Sequence, residues 1–111
     1  MNLSIEEVTA YPAYIPVTLP LGTLKAETAL SCVVVEIKTA DGVVGHGYTA
    51  ITDEEVVATA VRELVAPNLN GLNALDRERI AERLYWLLSP RGQTGYASHV
   101  VSAVDLALWD I

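Results

Sequence analysis

Two histidines, one cysteine and a scatter of carboxylates are the side chains of this sequence whose chemistry comes nearest to catalysis. His46 lies in Gly45-His46-Gly47-Tyr48, a strand-like run whose glycines let another backbone approach closely, and reads as a hydrogen-bonded strand histidine. His99 falls in the first turn of a predicted helix as an ordinary packing or surface residue. Neither histidine belongs to a metal-ligand spacing such as paired His at a helical offset. Asp105 and Asp110, five apart on the last predicted helix, point about 140° apart and form no carboxylate pair. Gly42, Gly45 and Gly47 fall in a hairpin and strand, outside the strand-to-helix setting of a phosphate cradle, and Ser31, Ser89, Ser98 and Ser102 lack the nucleophile-elbow pattern. Cys32 sits in an apolar β-like run and packs as a small hydrophobe. No catalytic residue and no metal ligand is assigned. The chain has the look of a specificity element without its engine.

The elements that must position these residues come in two groups. Leu3 to Tyr14 reads as a first strand, with Pro12 near an edge because proline cannot donate to a ladder. Leu30 to Thr39 reads as a second, with Val33, Val35 and Ile37 on one face. Ala40-Asp41-Gly42 supplies a hairpin turn, and Val43 to about Thr49 a third strand. Thr52-Asp53-Glu54-Glu55 has the spacing of a capping box and opens a helix that turns Val57, Val61, Leu64 and Val65 inward and stops near Pro67. A helix from about Leu75 to Leu88 follows, with Ile80, Leu84, Leu87 and Leu88 on its apolar stripe, broken by Ser89-Pro90-Arg91-Gly92. From about Tyr96 a last helix carries Val100, Val101, Val104 and Leu108. Strands first and helices second give an α+β fold, a three-stranded antiparallel meander followed by a helical bundle.

One stretch stands apart. Ile15 to Glu27 joins two strands that a two-residue turn could have joined, and it contains Pro16, Pro20 and Gly22 with Thr18, Thr23 and Lys25 as polar handles. A loop this long inside a compact domain is read either as a lid or binding loop or as a tolerated surface insertion.

The composition narrows the class. The 111 residues suit one domain, and the net charge of −7 with seven scattered Lys and Arg opposes nucleic acid or an anionic membrane surface as partner. Hydrophobic residues reach 51% and mean hydropathy is +0.32, yet they come in short periodic runs, so no membrane span is expected. The first residues carry no export signal, which makes a cytoplasmic location the expectation. The last helix reaches Asp110-Ile111 with an acidic residue where a cation would favour the dipole and with no Gly or Asn stop. A continuation beyond Ile111 is therefore expected, with the apolar excess covered by a neighbour.

Two motifs add to this reading. Asp41-Gly42-Val43-Val44-Gly45-His46-Gly47-Tyr48 resembles the D/G-x-V-G-x-G/S-Y strand, and Ser102-Ala103-Val104-Asp105-Leu106-Ala107-Leu108-Trp109-Asp110-Ile111 the A-x-D-x-A-x-W-D helix, of the amino-terminal capping domain in the mandelate racemase and muconate lactonising branch of the enolase superfamily. The resemblance covers nearly the whole chain. It implies a following (β/α)₈ barrel that supplies carboxylates for Mg²⁺ and bases that remove a proton α to a substrate carboxylate. The chain itself would hold no metal. It would cap the barrel mouth with Ile15 to Glu27 and about Tyr48 to Asp53, and Trp86 and Trp109 would be core or barrel-packing residues. Leu19, Leu21, Thr23 and Leu24 would shape the substrate cavity, Lys25 would attract a carboxylate or hydroxyl-rich acid, and Ala50 and Thr52 would contribute from the second loop. The expected parent is a sugar-acid dehydratase or racemase/epimerase acting on a small carboxylic acid, in a homo-oligomer. A cycloisomerase of the same superfamily and a free-standing interaction or ligand-binding module are the alternatives.

Overall fold

A computed structural model describes residues 1–89 and 95–111. Its elements are β1 (Ile5–Leu21), β2 (Leu24–Thr39), β3 (Val44–Ala50), α1 (Glu54–Ala60), a π-helical turn (Val61–Val65), α2 (Ala66–Leu69), α3 (Arg77–Leu88) and α4 (Gly95–Asp110). The three strands form one antiparallel sheet in the order β1-β2-β3. The fold is the expected α+β meander and helices.

The core is the contact between the lower sheet and the helices. Val8 and Ala10 of β1 pair with Ile37 and Val35 of β2, and these four with Val33 turn the same face inward. Against that face lie Val57, Ala58, Val61, Val65 and Leu69, then Ile80, Leu84 and Leu88 of α3, and Val100, Ala103, Val104, Ala107 and Leu108 of α4, all buried. Thr39 closes the β2–β3 turn: its hydroxyl donates to Asp41 at 2.6 Å and accepts from the Val43 amide at 3.1 Å.

Four expectations are corrected. The helix predicted to stop near Pro67 runs on to Leu69, because the turn before the proline widens and the Ala66 amide donates to the Val61 carbonyl five residues back. An α-helical proline clashes with the carbonyl four residues earlier, and a π-turn moves that carbonyl. The wider turn also underwinds the helix, so residues at strict four-residue spacing (Val57, Val61, Val65, Leu69) stay on one buried face while Leu64, predicted inward, is exposed. The capping box does not form: Asp53, not Thr52, is the N-cap residue, and it makes no side-chain cap bond. The predicted helix break lies, beyond Ser89, outside the described residues, and His99 sits in the second turn of α4, not the first.

The fourth correction is the largest. Ile15 to Glu27 is no loop but the outer half of a long hairpin: β1 runs unbroken to Leu21, β2 restarts at Leu24, and only Gly22 and Thr23 turn the chain. Gly22 takes φ +64° while Thr23 keeps a negative φ, the backbone pattern of a II′ hairpin turn, which needs glycine at its first central position. The prolines are compatible with the strand because they sit at every fourth residue on the outer flank of β1, where no ladder amide is needed.

Candidate functional site

The outer half of the hairpin is an arm. From Tyr11 to Ser31 no residue is buried, while both strands are buried below that level. The molecule measures 56 × 33 × 20 Å with a radius of gyration of 15.7 Å, against about 13 Å for a compact domain of this length.

The arm's two faces differ in chemistry. Ile15, Val17, Leu19 and Leu21 pair with Leu30, Thr28, Ala26 and Leu24, which puts seven apolar side chains and one threonine on a single face. The other face carries Tyr14, Pro16, Thr18 and Pro20 opposite Ser31, Ala29, Glu27 and Lys25. At the root the apolar residues are even-numbered on β1 and odd-numbered on β2; on the arm this is reversed. No register shift separates the two halves, since the single irregularity of the β1–β2 ladder lies between Ile5 and Glu7. The apolar stripe therefore crosses from the helix-facing side of the sheet to the opposite side. There it stays open: Leu21 is 58% and Leu24 71% exposed.

The β3–α1 connection is fastened to the arm's root. The Ile51 amide donates to the Ser31 carbonyl at 3.1 Å, the Ser31 hydroxyl to the Thr52 carbonyl at 3.2 Å, and the Tyr14 hydroxyl to Glu54 at 3.0 Å. These bonds hold Ile51 at φ +56°, a left-handed conformation that a β-branched residue adopts only under constraint, with its side chain 79% exposed. The hydrogen bond from its own amide, and then that from Tyr14, holds the Glu54 carboxyl below its ordinary value, and the same Glu54 contact raises the Tyr14 phenol. A second tyrosine, Tyr11, is raised by partial desolvation and then by Glu36.

Leu19, Leu21 and Leu24 share the apolar face at the tip, Thr23 is in the turn, and Lys25 lies on the opposite face. Ala50 and Thr52 are at the root: Ala50 pairs with Cys32, about 25 Å down the strand from Leu24 at the rise of an extended chain. The chain thus offers two separated groups. Sequence reasoning missed Ile51, whose left-handed backbone has no signature in the sequence, and Tyr14 and Glu54, whose contact spans the sheet and helix.

The two sequence motifs meet each other. A Cβ on Gly45 or Gly47 would fall well inside contact distance of the Ala107 and Ala103 carbonyl oxygens, so β3 lies against the backbone of α4. Asp110 completes the contact by accepting the outward amide of His46 at 2.8 Å. The His46 ring bonds Glu36 at 3.1 Å, and His99 Nδ1 lies 2.6 Å from the Thr49 hydroxyl. Both histidines are thus structural partners of the sheet. Trp86 and Trp109 are not core residues: both are exposed, Trp86 edge-on to Tyr85 and Trp109 beneath the Arg77 guanidinium at 3.9 Å. Among the described residues no group of three or more His, Cys, Asp or Glu is arranged to hold a metal ion, and no helix is long and apolar enough to cross a membrane.

This geometry defines a class: an α+β sheet-and-bundle domain with a projecting hairpin and a glycine-mediated strand–helix contact. The sequence profile of the mandelate racemase / muconate lactonizing enzyme N-terminal domain matches residues 4–111, and the chain belongs to that family, within the enolase superfamily. It is 34% identical over 103 residues to a 3,6-anhydro-alpha-L-galactonate cycloisomerase of Streptomyces coelicolor, covering 91% of this chain and 28% of that protein. An L-talarate/galactarate dehydratase of Salmonella typhimurium is 29% identical over 116 residues, covering 96% and 29%. Among solved structures, a racemase from Streptomyces coelicolor A3(2) with bound magnesium superposes with a TM-score of 0.79 at 34% identity, covering 95% of this chain and 30% of that one. The chain thus spans under a third of the length of these relatives.

Proposed function

We propose that this chain is the substrate-capping part of an enolase-superfamily isomerase or lyase that abstracts the proton α to the carboxylate of a small acid. The observation that carries the reading is the reversal of the apolar stripe along the hairpin. The arm's leucines serve no core of their own, and they stand on the side of the sheet away from the helices.

On this reading Leu19, Leu21 and Leu24, with Thr23 at the turn, close over the distal part of the substrate and exclude water. Ile51, Ala50 and Thr52 form a second, fixed wall fastened to the arm's root. The metal and the proton-transferring bases belong to the part of such enzymes that this chain does not span. Its own residues contribute shape, and no step of the chemistry passes through a metal held here. Dehydration and racemisation or epimerisation are the favoured outcomes, and the 34% identity to a cycloisomerase supports cycloisomerisation as the alternative.

The test is exchange of residues 15–27, in the full-length protein, for those of a relative with different specificity. Turnover is then measured with galactarate and 3,6-anhydro-galactonate. The ratio of the two kcat/KM values should change at least tenfold. An unchanged ratio with retained activity would remove the capping role.

A further inference from the structure

The arm has two long flanks of backbone as well as two faces, and the flanks are treated differently. On β1 the outward positions are the even-numbered residues. The Ala10 carbonyl accepts the Arg62 guanidinium at 2.8 Å, and Pro12, Pro16 and Pro20 follow with no amide to offer. On β3 the outward His46 amide is taken by Asp110. Natural sheets blunt their edges in these ways, because an unpaired edge is a template for another strand.

The flank of β2 beyond β3 is not closed off in this way. The Ser31 carbonyl there is the last outward group with a partner, the Ile51 amide. At two-residue steps from Ser31, the amides and carbonyls of Ala29, Glu27 and Lys25 leave the same flank, and among the described residues none of them is hydrogen-bonded to another part of the chain. Seven residues, Leu24-Lys25-Ala26-Glu27-Thr28-Ala29-Leu30, thus form an extended edge without proline.

We propose that this edge pairs antiparallel with the same edge of a second copy, about a two-fold axis through Ala26. Outward residues must oppose outward residues in such a ladder, and the registers that set more than one of Lys25, Glu27 and Ala29 against each other centre on Ala26, Glu27 or Thr28. Centring on Glu27 sets two carboxylates directly opposite, and centring on Thr28 uses the Ser31 carbonyl already bonded to Ile51. Centring on Ala26 sets Lys25 opposite Glu27 of the second copy, twice by symmetry, with an exchange of amide–carbonyl bonds at each pair. The axis stands perpendicular to the sheet, so both apolar faces emerge on the same side and the arms form one four-stranded sheet. Lys25 and Glu27 lie on the face away from the leucines, so the pairing leaves the proposed capping face free. The inference does not rest on that capping role.

The experiment uses the full-length protein and reads self-association by sedimentation at micromolar concentration. Glu27→Lys places like charges opposite each other and should weaken association at least tenfold. The double exchange K25E/E27K restores the complementary pattern and should return it to within threefold of the parent. In parallel, Ala26→Cys should give a disulfide-linked dimer on mild oxidation, because the axis brings position 26 against itself, whereas Ala29→Cys and the parent with buried Cys32 should not. Association unchanged by Glu27→Lys, a monomeric parent, or failure of both rescue and cross-linking would overturn the assignment. The last result would point to another segment of the same polypeptide on the edge.

Discussion

The root and the arm of one hairpin use the same two strands under opposite rules. At the root the sheet's apolar face is sealed by helices, and Val33, Val35 and Ile37 are fully buried. On the arm the apolar residues change phase, and the leucines stand in the open. The difference separates two jobs within a single secondary element. Burial at the root fixes the fold, and the arm is free to vary without disturbing it.

That contrast can be broken by truncating one residue on each side. Ile37→Ala removes a buried side chain from the root and should cost about 4 kcal/mol, while Leu19→Ala on the arm should cost less than about 0.5 kcal/mol. Denaturant unfolding of both variants provides the check, and comparable losses would mean that the arm carries core weight. A methyl group at Gly47 would meet backbone atoms of Ala103 and Ala107, which cannot rotate away. Gly47→Ala should therefore lose about 2 kcal/mol, whereas Ala26→Gly on the arm should change stability by about 1 kcal/mol or less.

The smallest effect concerns the fastening between arm and loop. The folded Glu54 carboxyl is lowered, so its contribution is present above the unfolded pKa and disappears as pH falls through the folded one. Tyr14 is raised, so its contribution is present below the ordinary phenol value and disappears as pH rises through the folded one. The fastening should thus hold from mildly acidic to mildly alkaline pH. Tyr14→Phe should move the Glu54 titration, followed by carboxyl NMR, back up toward the usual carboxylate range. No movement would show that the contact is absent in solution.

Much of the root was legible in the sequence. The alternation through Val33, Val35 and Ile37 and the four-residue steps of the helices are direct images of burial, and the Asp-Gly turn demanded its hairpin. The arm was harder to read. Ile15-Pro16-Val17-Thr18-Leu19-Pro20-Leu21 alternates as cleanly as any strand, but its prolines suggested a loop, and its apolar phase is opposite to that of Val8 and Ala10. Only the placement of those prolines on an outer flank reconciles the two. The meeting of Gly45 and Gly47 with Ala103 and Ala107 depends on tertiary packing, which no local spacing encodes. The separation of Lys25 from Leu19, Leu21 and Leu24 follows from strand parity, which a loop over residues 15–27 does not have. The distance between the tip and Ala50 and Thr52 has the same origin.

Pro12, Pro16 and Pro20 also set a limit on growth. A strand is added to the arm more readily along β2, because on the opposite flank every second outward position is a proline and only Tyr14 and Thr18 keep an amide to donate. Stacking of arm upon arm in an open-ended array is therefore opposed by three imino acids, which remove every second donor such an array would need.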